Sequence, residues 1–141
     1  PHANFHIDWC SVYNQALEHI KNANYHIYFI DYRLNIKTGI DLLKDAMIHN
    51  CQEPIILLTG KGNQKIDMEA MSLGAVDYLI KSELTSEKLE RCIRYALERS
   101  ATLKKLRASE RQYRNIFEKT NDVIFIADAE FKIQNVNNAA Q

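Results

Sequence analysis

The chain has 141 residues, 46% of them hydrophobic, which suits one ordinary domain or one domain with part of another. Its 18 basic and 18 acidic side chains cancel, so nucleic acid and anionic membrane are poor candidate partners, and no apolar run reaches the roughly 18 residues that span a bilayer. Its three cysteines form no CxxC pair, so we expect buried thiols in the reducing cytoplasm rather than a zinc site.

The first half of the chain alternates strand and helix patterns. Residues 5–9 are a short strand candidate, and Ser11 is a candidate N-cap for the helix that follows. The β-branched and aromatic run at 25–30 predicts a buried strand, which ends directly at Asp31. Thr38, followed by glycine, opens the next predicted helix.

The same alternation continues as far as a long helix. The predicted elements are a strand at 55–58 that closes at Thr59, a helix at 64–73 that ends at Gly74, a strand at 76–80 that ends at Lys81, and a helix capped by Thr85 or Ser86. Short strands that are apolar on both sides and separated by helices predict a parallel sheet covered on both faces.

Three consecutive predicted strands end in polar residues, namely Asp31, Thr59 and Lys81. Since the carboxyl ends of parallel strands share one edge of the sheet, we expect these side chains to lie close together. A carboxylate can attack an activated phosphate, and a hydroxyl and an ammonium can receive the charge of the product. The pattern therefore favours phosphoryl transfer to Asp31, although each residue alone is more often a turn, strand or surface residue.

The segments that carry this pattern are IDYRL at Asp31, TGID, PIILLTG ending near Thr59, and LGAVDYLIKS around Lys81. Over roughly residues 5–100 they resemble a response-regulator receiver domain of two-component signalling. The resemblance implies a flavodoxin-like α/β fold. It also implies that a histidine kinase or a phosphotransfer protein donates the phosphoryl group to Asp31.

Further roles follow from the same resemblance. It implies that Thr59 and Lys81 contact the phosphoryl group, and that Asp31 and the backbone carbonyl of Arg33 help to hold Mg²⁺. Tyr78 matches the aromatic residue that swings inward when the threonine is recruited. A half-buried strand aromatic is the alternative interpretation of Tyr78.

Two features depart from the receiver pattern. Ser82 follows Lys81 where receivers commonly have proline after a cis peptide bond, and a cis bond before a non-proline residue costs about 2.5–4 kcal/mol. The chain also begins at what matches the second receiver strand, so the first strand, its acidic pair and the following helix are expected to be missing. We therefore expect weak Mg²⁺ binding and slow phosphorylation by these residues alone.

The last predicted helix extends past the receiver. Its apolar residues fit heptad a and d positions, interrupted by Arg99 and Glu110: Leu89, Cys92, Ala96, Leu103, Leu106, Tyr113 and Phe117. This pattern favours a signalling coiled coil at 101–118 in a parallel homodimer. The alternative is a solvated linker helix.

Residues 119–141 resemble the start of a PAS sensory domain, with strands near 123–127 and after Phe131, and a helix near 135–140. The segment at 123–130 also resembles a receiver's first strand with an acidic end. It could replace the missing strand, in the same chain or by strand exchange in a homodimer, and bring Asp128 and Glu130 towards Asp31.

Three functions are compatible with the sequence. The first is a phospho-accepting receiver in a multidomain signalling protein, not itself an enzyme, that relays its state through the last helix. The second is a non-phosphorylated dimerisation or interaction module. The third is a phosphatase with Asp31 as nucleophile, but Arg33 stands where such enzymes carry a second aspartate. Histidine kinase and cyclic-dinucleotide outputs both stay open.

Overall fold

The computed structural model describes residues 4–60 and 63–140, and the chain divides into two compact units, Pro1–Ser100 and Ala101–Gln141. The helices are α1 (Tyr13–Lys21), α2 (Gly39–Ile48), α3 (Gln64–Leu73) and α4 (Ser86–Lys119), and the strands are β1 (Tyr28–Asp31), β2 (Ile55–Thr59), β3 (Asp77–Ile80), β4 (Phe125–Ala127) and β5 (Ile133–Val136). Two short 3₁₀ segments lie at Lys81–Glu83 and Asn138–Ala140.

The first unit is built on a parallel sheet of three strands in the order β1-β2-β3. Side chains from α1, α2 and α3 pack on one face of this sheet. On the other face, Cys92 and Ala96 of α4 pack against Ile56 of the central strand β2. The predicted parallel sheet with both faces covered is therefore confirmed.

The predicted strand at 5–9 is wrong. These residues have no regular secondary structure, and Trp9 is 87% exposed. Alternation of apolar and polar residues is insufficient for a strand, because the backbone also needs a neighbouring strand for its hydrogen bonds. No strand lies beside 5–9 within the described ranges.

The helix ends show where capping was predicted correctly and where it was not. Helix α1 begins after Val12, which makes no side-chain cap hydrogen bond, so the predicted Ser11 cap is wrong. Thr38 forms a full capping box with Asp41 at the start of α2. Gly74 ends α3 with a φ of 113°, the left-handed conformation that favours glycine.

Replacing Thr38 by alanine is expected to lower the free energy of unfolding by about 1 kcal/mol, because the backbone N–H of Asp41 loses its side-chain acceptor and keeps only the carbonyl oxygen of residue 38. Urea denaturation measures this loss. Ser11→Ala is the matched control and is expected to change stability very little, since Ser11 does not cap α1. Equal losses in the two variants would contradict the assignment of caps.

The carboxylate of Asp41 adds a pH dependence to the same box. Hydrogen bonds from the backbone and the hydroxyl of Thr38 hold the pKa of Asp41 below its usual range. Because the pKa of Asp41 is lower in the folded than in the unfolded protein, the ionised carboxylate stabilises the fold at every pH above its unfolded pKa of about 3.9. This stabilisation is lost as the pH falls through the folded-state pKa. The stability difference between the wild-type protein and Asp41→Asn should therefore shrink in strong acid.

The second unit contains the antiparallel pair β4–β5. Asp128 forms the turn between the strands, accepting hydrogen bonds from the backbone N–H groups of Glu130 and Lys132. Because β4 pairs with β5 in a sheet of its own, the prediction that 123–130 take the place of the first receiver strand within the same chain is wrong. A local hairpin closes a much shorter loop than a return to β1.

Helix α4 has different surroundings along its length. Cys92, Ile93 and Ala96 are buried in the first unit, so Cys92 and Ala96 are not available as coiled-coil positions, contrary to the predicted heptad series. Leu103 and Leu106 are exposed by 41% and 63%. Of the predicted heptad series, Leu103, Leu106 and Tyr113 are exposed, and the coiled coil stays a prediction.

The cysteines and the helices bear on two further expectations. Cys10 is exposed, so the expectation of buried thiols is wrong for it, while Cys51 is half-buried and Cys92 is buried. Burial raises the pKa of the Cys92 thiol to about 11. Among the described residues, no helix combines the length and apolar character needed to cross a bilayer.

Candidate functional site

The structure brings Asp31 and Lys81 together at the carboxyl edge of the parallel sheet. Asp31 is the last residue of β1, and Lys81 directly follows β3. The Nζ atom of Lys81 lies 2.5 Å from Oδ2 of Asp31, and both side chains are partly exposed. The other carboxylate oxygen, Oδ1, accepts a hydrogen bond of 3.1 Å from the backbone N–H of Arg33. Both oxygens of Asp31 are therefore hydrogen-bonded, and the pair is open to solvent.

Thr59 ends β2, the strand between those of Asp31 and Lys81. In the sheet register, Leu58 is opposite Asp31, and Thr59 is opposite Ile80, the residue before Lys81. The side chain of Thr59 is 2% exposed, and its Oγ1 has no hydrogen-bond partner in the part of the chain that the structure describes. An unpaired buried hydroxyl is costly, which makes Thr59 a candidate donor to an incoming group.

Gly39 supports the site in a way that the sequence analysis missed. A Cβ atom at this position would lie 2.3 Å from the backbone oxygen of Asp31 and 3.0 Å from Cγ2 of Ile30. The N–H of Gly39 also donates a hydrogen bond of 2.8 Å to the carbonyl oxygen of Tyr32. Helix α2 therefore starts in direct contact with the backbone of the candidate acceptor, and only glycine permits this approach.

A second feature that the sequence did not reveal links α1, α2 and the loop after β1. The hydroxyl of Tyr13 donates a hydrogen bond of 2.7 Å to Asp45, and the Nζ of Lys37 lies 3.5 Å from the same carboxylate oxygen. Burial and this hydrogen bond raise the pKa of Tyr13, while the hydrogen bond from Tyr13 lowers the pKa of Asp45. These contacts restrain the loop that leads away from Asp31.

Two expectations near Lys81 can be compared with the structure. Tyr78 is half-buried opposite Leu57 and packs against the core, which fits a strand aromatic, and its switch role stays a prediction. No peptide bond among the described residues is cis, so the Lys81–Ser82 bond is trans. The side chain of Lys81 nevertheless reaches Asp31 from the 3₁₀ segment that follows β3.

The residues at this edge do not make a complete Mg²⁺ site. Within 4–60 and 63–140 no group of three His, Cys, Asp or Glu residues could hold a metal ion. Mg²⁺ requires near-octahedral oxygen coordination, and Asp31 with one backbone carbonyl, that of Arg33, supplies only part of it. Both oxygens of Asp31 are also engaged, by Lys81 and by the N–H of Arg33. The role of the Arg33 carbonyl stays a prediction.

Comparison with known proteins places this geometry in a family. The family model described as "Response regulator receiver domain" matches residues 2–94. The chain is 32% identical over 83 residues to the transcriptional regulatory protein ZraR of Klebsiella oxytoca, covering 59% of this chain and 18% of that protein. It is 30% identical over 87 residues to the two-component response regulator PhoP of Pseudomonas aeruginosa, covering 62% of this chain and 38% of PhoP. The chain thus spans well under half of these relatives.

Solved structures agree on the fold. The signal receiver domain of a putative LuxO repressor protein from Vibrio parahaemolyticus superimposes with a TM-score of 0.62 at 21% identity, covering 69% of this chain and 73% of that one. The receiver domain of the Francisella response regulator 1452 gives a TM-score of 0.56 at 27% identity, with coverages of 62% and 72%. The fold is therefore the flavodoxin-like receiver fold. On the family model and the relatives together, this chain belongs to the response regulator receiver domain family of two-component signalling.

Proposed function

We propose that Asp31 accepts a phosphoryl group and that this chain acts as a phosphorylation-dependent switch in a larger signalling protein. The observation that carries the proposal is the 2.5 Å pair of Asp31 and Lys81 beside the buried, unpaired hydroxyl of Thr59. These three groups supply a nucleophile, a cation and a hydrogen-bond donor at one edge of a parallel sheet. A receiver is a signalling module and not itself an enzyme.

The proposed transfer uses a phosphohistidine of a histidine kinase or of a phosphotransfer protein. A carboxylate oxygen of Asp31 attacks phosphorus, a P–O bond forms, and the P–N bond breaks. The imidazole leaves with the electron pair of that bond and is protonated by solvent. Lys81 then pairs with the new negative charge, and Thr59 donates its hydroxyl hydrogen to a phosphoryl oxygen, which satisfies an atom that is unpaired in this structure.

The Mg²⁺ of this proposal needs carboxylates in addition to Asp31. We propose that these carboxylates belong to a strand that pairs with the free edge of β1. That edge is open because β1 pairs with β2 on one side only, and no strand occupies its other side within the described residues. An unpaired strand edge readily accepts another strand. That strand would be the first strand of the receiver or one exchanged from a second copy, and we propose that phosphorylation is slow without it.

The rest of the proposal concerns what the switch controls. Helix α4 leads from the receiver unit into the β4–β5 hairpin, which we propose is the start of a PAS domain, so that α4 at 101–118 relays the state of Asp31. We further propose a cytoplasmic homodimer formed through α4 or through strand exchange. Nucleic acid and membrane are not among the proposed partners, since the 18 basic and 18 acidic residues cancel.

Mass spectrometry after treatment with acetyl phosphate and Mg²⁺ tests the proposal. Three proteins are compared: the chain itself, Asp31→Asn, and a version extended at its N-terminus by a receiver-type strand and helix with two aspartates. The control is Asp8→Asn, which changes an exposed carboxylate outside the site. We expect one phosphoryl group on the extended protein, retained with Asp8→Asn in that protein and abolished there by Asp31→Asn.

One alternative function has an observation in its favour. Both oxygens of Asp31 are engaged in this structure, and no cluster of three metal-binding residues accompanies it among the described residues. This arrangement suits a non-phosphorylated dimerisation module. If the extended protein stays unmodified with acetyl phosphate and with a phosphohistidine donor, the phospho-acceptor proposal fails and this alternative replaces it.

A further inference from the structure

The middle of α4 carries four residues in one line along the helix: Arg99, Leu103, Leu106 and Glu110. Their spacing of four, three and four residues places them on one face of an α-helix. All four are exposed. The order along the helix is cation, leucine, leucine, anion. When two copies of this face lie antiparallel, the cation of each copy is therefore opposite the anion of the other.

The exposed part of this face has defined limits. Towards the N-terminus, Cys92 and Ala96 are buried against the sheet of the first unit. Towards the C-terminus, the face continues to Tyr113, which is 51% exposed and stacks on the buried Phe117. The stripe itself is short, about 16 Å between the first and last of its four residues at 1.5 Å per residue.

The two possible directions of a second helix differ in what they bring together. In a parallel pair, each residue meets its own copy, so Arg99 would face Arg99 and Glu110 would face Glu110. In an antiparallel pair centred between residues 104 and 105, Leu103 faces Leu106 of the second copy, and Arg99 faces Glu110 of the second copy. Like charges in a helix interface are repulsive and opposite charges are attractive, so the stripe favours the antiparallel pair.

The contacts of Arg99 and Glu110 within the chain leave both side chains available to a second copy. Arg99 forms no ion pair within the ranges that the structure describes. Glu110 lies 3.1 Å from Arg114 one turn away, and both side chains are well over half exposed. An exposed i,i+4 ion pair contributes little to stability. Glu110 can therefore leave Arg114 and pair with a cation in a less hydrated interface at a small cost in free energy.

We propose that a second copy of this chain binds the Arg99–Glu110 stripe in the antiparallel direction. Two leucine layers form the centre of the interface, and one Arg99–Glu110 ion pair closes each end. This antiparallel pair is a specific form of the homodimer proposed above, in place of the expected parallel one, and it does not require phosphoryl transfer to Asp31.

Charge reversal tests the pairing. Arg99→Glu or Glu110→Arg alone converts both ion pairs of the antiparallel dimer into repulsive contacts, and we expect the dimer to weaken about tenfold in sedimentation equilibrium. The double variant Arg99→Glu/Glu110→Arg restores both pairs in reversed order and should recover the wild-type affinity. In a parallel dimer each of these variants keeps like charges opposed, so no loss and rescue would be seen. Circular dichroism checks that every variant keeps its helix content.

Disulfide trapping tests the direction in a Cys10→Ser background, which removes the exposed native thiol. A tagged Arg99→Cys copy is mixed with an untagged Glu110→Cys copy and oxidised. The antiparallel pair predicts a mixed disulfide dimer, which keeps one intact Arg99–Glu110 pair, and few dimers of either copy with itself. Self-linked dimers of each copy, or a chain that stays monomeric at all concentrations, would overturn the proposal. The test uses the unphosphorylated protein, so its result does not depend on whether Asp31 can be phosphorylated.

Discussion

Replacing Gly39 by alanine is expected to lower the free energy of unfolding of the first unit by about 3 kcal/mol. The added methyl group would lie 2.3 Å from the backbone oxygen of Asp31, closer than real Cβ atoms approach other heavy atoms. That oxygen is part of the main chain and cannot rotate aside, so β1 and α2 must move apart. Urea denaturation followed by circular dichroism measures the loss.

Gly60→Ala is the matched control, because a Cβ atom at Gly60 would meet nothing within 4 Å. Both glycines lie next to candidate site residues, Gly39 in space against the Asp31 backbone and Gly60 directly after Thr59 in the chain. We expect less than about 0.5 kcal/mol of change at Gly60. Similar losses at both positions would show that the contact with the Asp31 backbone is not the cause, because the lower backbone entropy of alanine in the unfolded chain favours the folded state at both positions.

A smaller functional effect is expected to accompany the loss of stability. Movement of the Asp31 backbone shifts its carboxylate relative to Lys81, whose Nζ lies 2.5 Å away. Positioning contributes strongly to phosphoryl transfer, so Gly39→Ala should also slow any phosphorylation of Asp31 in the protein that remains folded. The contact thus connects the packing of α2 to the chemistry at the sheet edge.

The order of strands and helices in the first unit could be predicted because local patterns and tertiary packing agree there. The run 55–58 is apolar on both sides, and Ile55, Ile56 and Leu57 are at most 1% exposed. The run 5–9 alternates apolar and polar residues, which also suits a strand, but it has no neighbouring strand among the described residues and is not a strand. Pairing partners are a property of the whole sheet, so a single segment cannot reveal their absence.

The candidate site also has features that the sequence predicts and features that only the structure shows. The placement of Asp31, Thr59 and Lys81 at strand ends could be predicted because the end of a strand is a local feature, and parallel topology then brings strand ends together; their roles stay predictions. The roles of Gly39, Tyr13 and Asp45 could not, because they depend on distances between segments. The sequence shows a glycine after Thr38, but only the structure shows that its missing side chain makes room for the Asp31 backbone.

Asn137 links two segments of the second unit through side-chain hydrogen bonds that the local sequence pattern did not predict. Its side chain is 2% exposed; Oδ1 accepts a hydrogen bond of 2.9 Å from the N–H of Ile124, and Nδ2 donates one of 2.9 Å to the carbonyl oxygen of Asp122. Its backbone N–H also donates to the carbonyl oxygen of Ile124. One residue thus fixes the start of the β4 segment against the end of β5.

Asn137→Ala is expected to destabilise the second unit by about 3 kcal/mol, since two backbone groups lose their partners at about 1–3 kcal/mol each. The result should appear in hydrogen exchange as faster exchange of the Ile124 amide, with little change at β2 amides in the first unit. The control is Asn138→Ala, because Asn138 uses its backbone N–H, which alanine keeps, to bond Glu118. If Asn138→Ala accelerates the Ile124 amide as much as Asn137→Ala does, the side chain of Asn137 is not what closes the hairpin. If only Asn137→Ala does so, the hairpin that α4 enters owes its stability to this one buried amide.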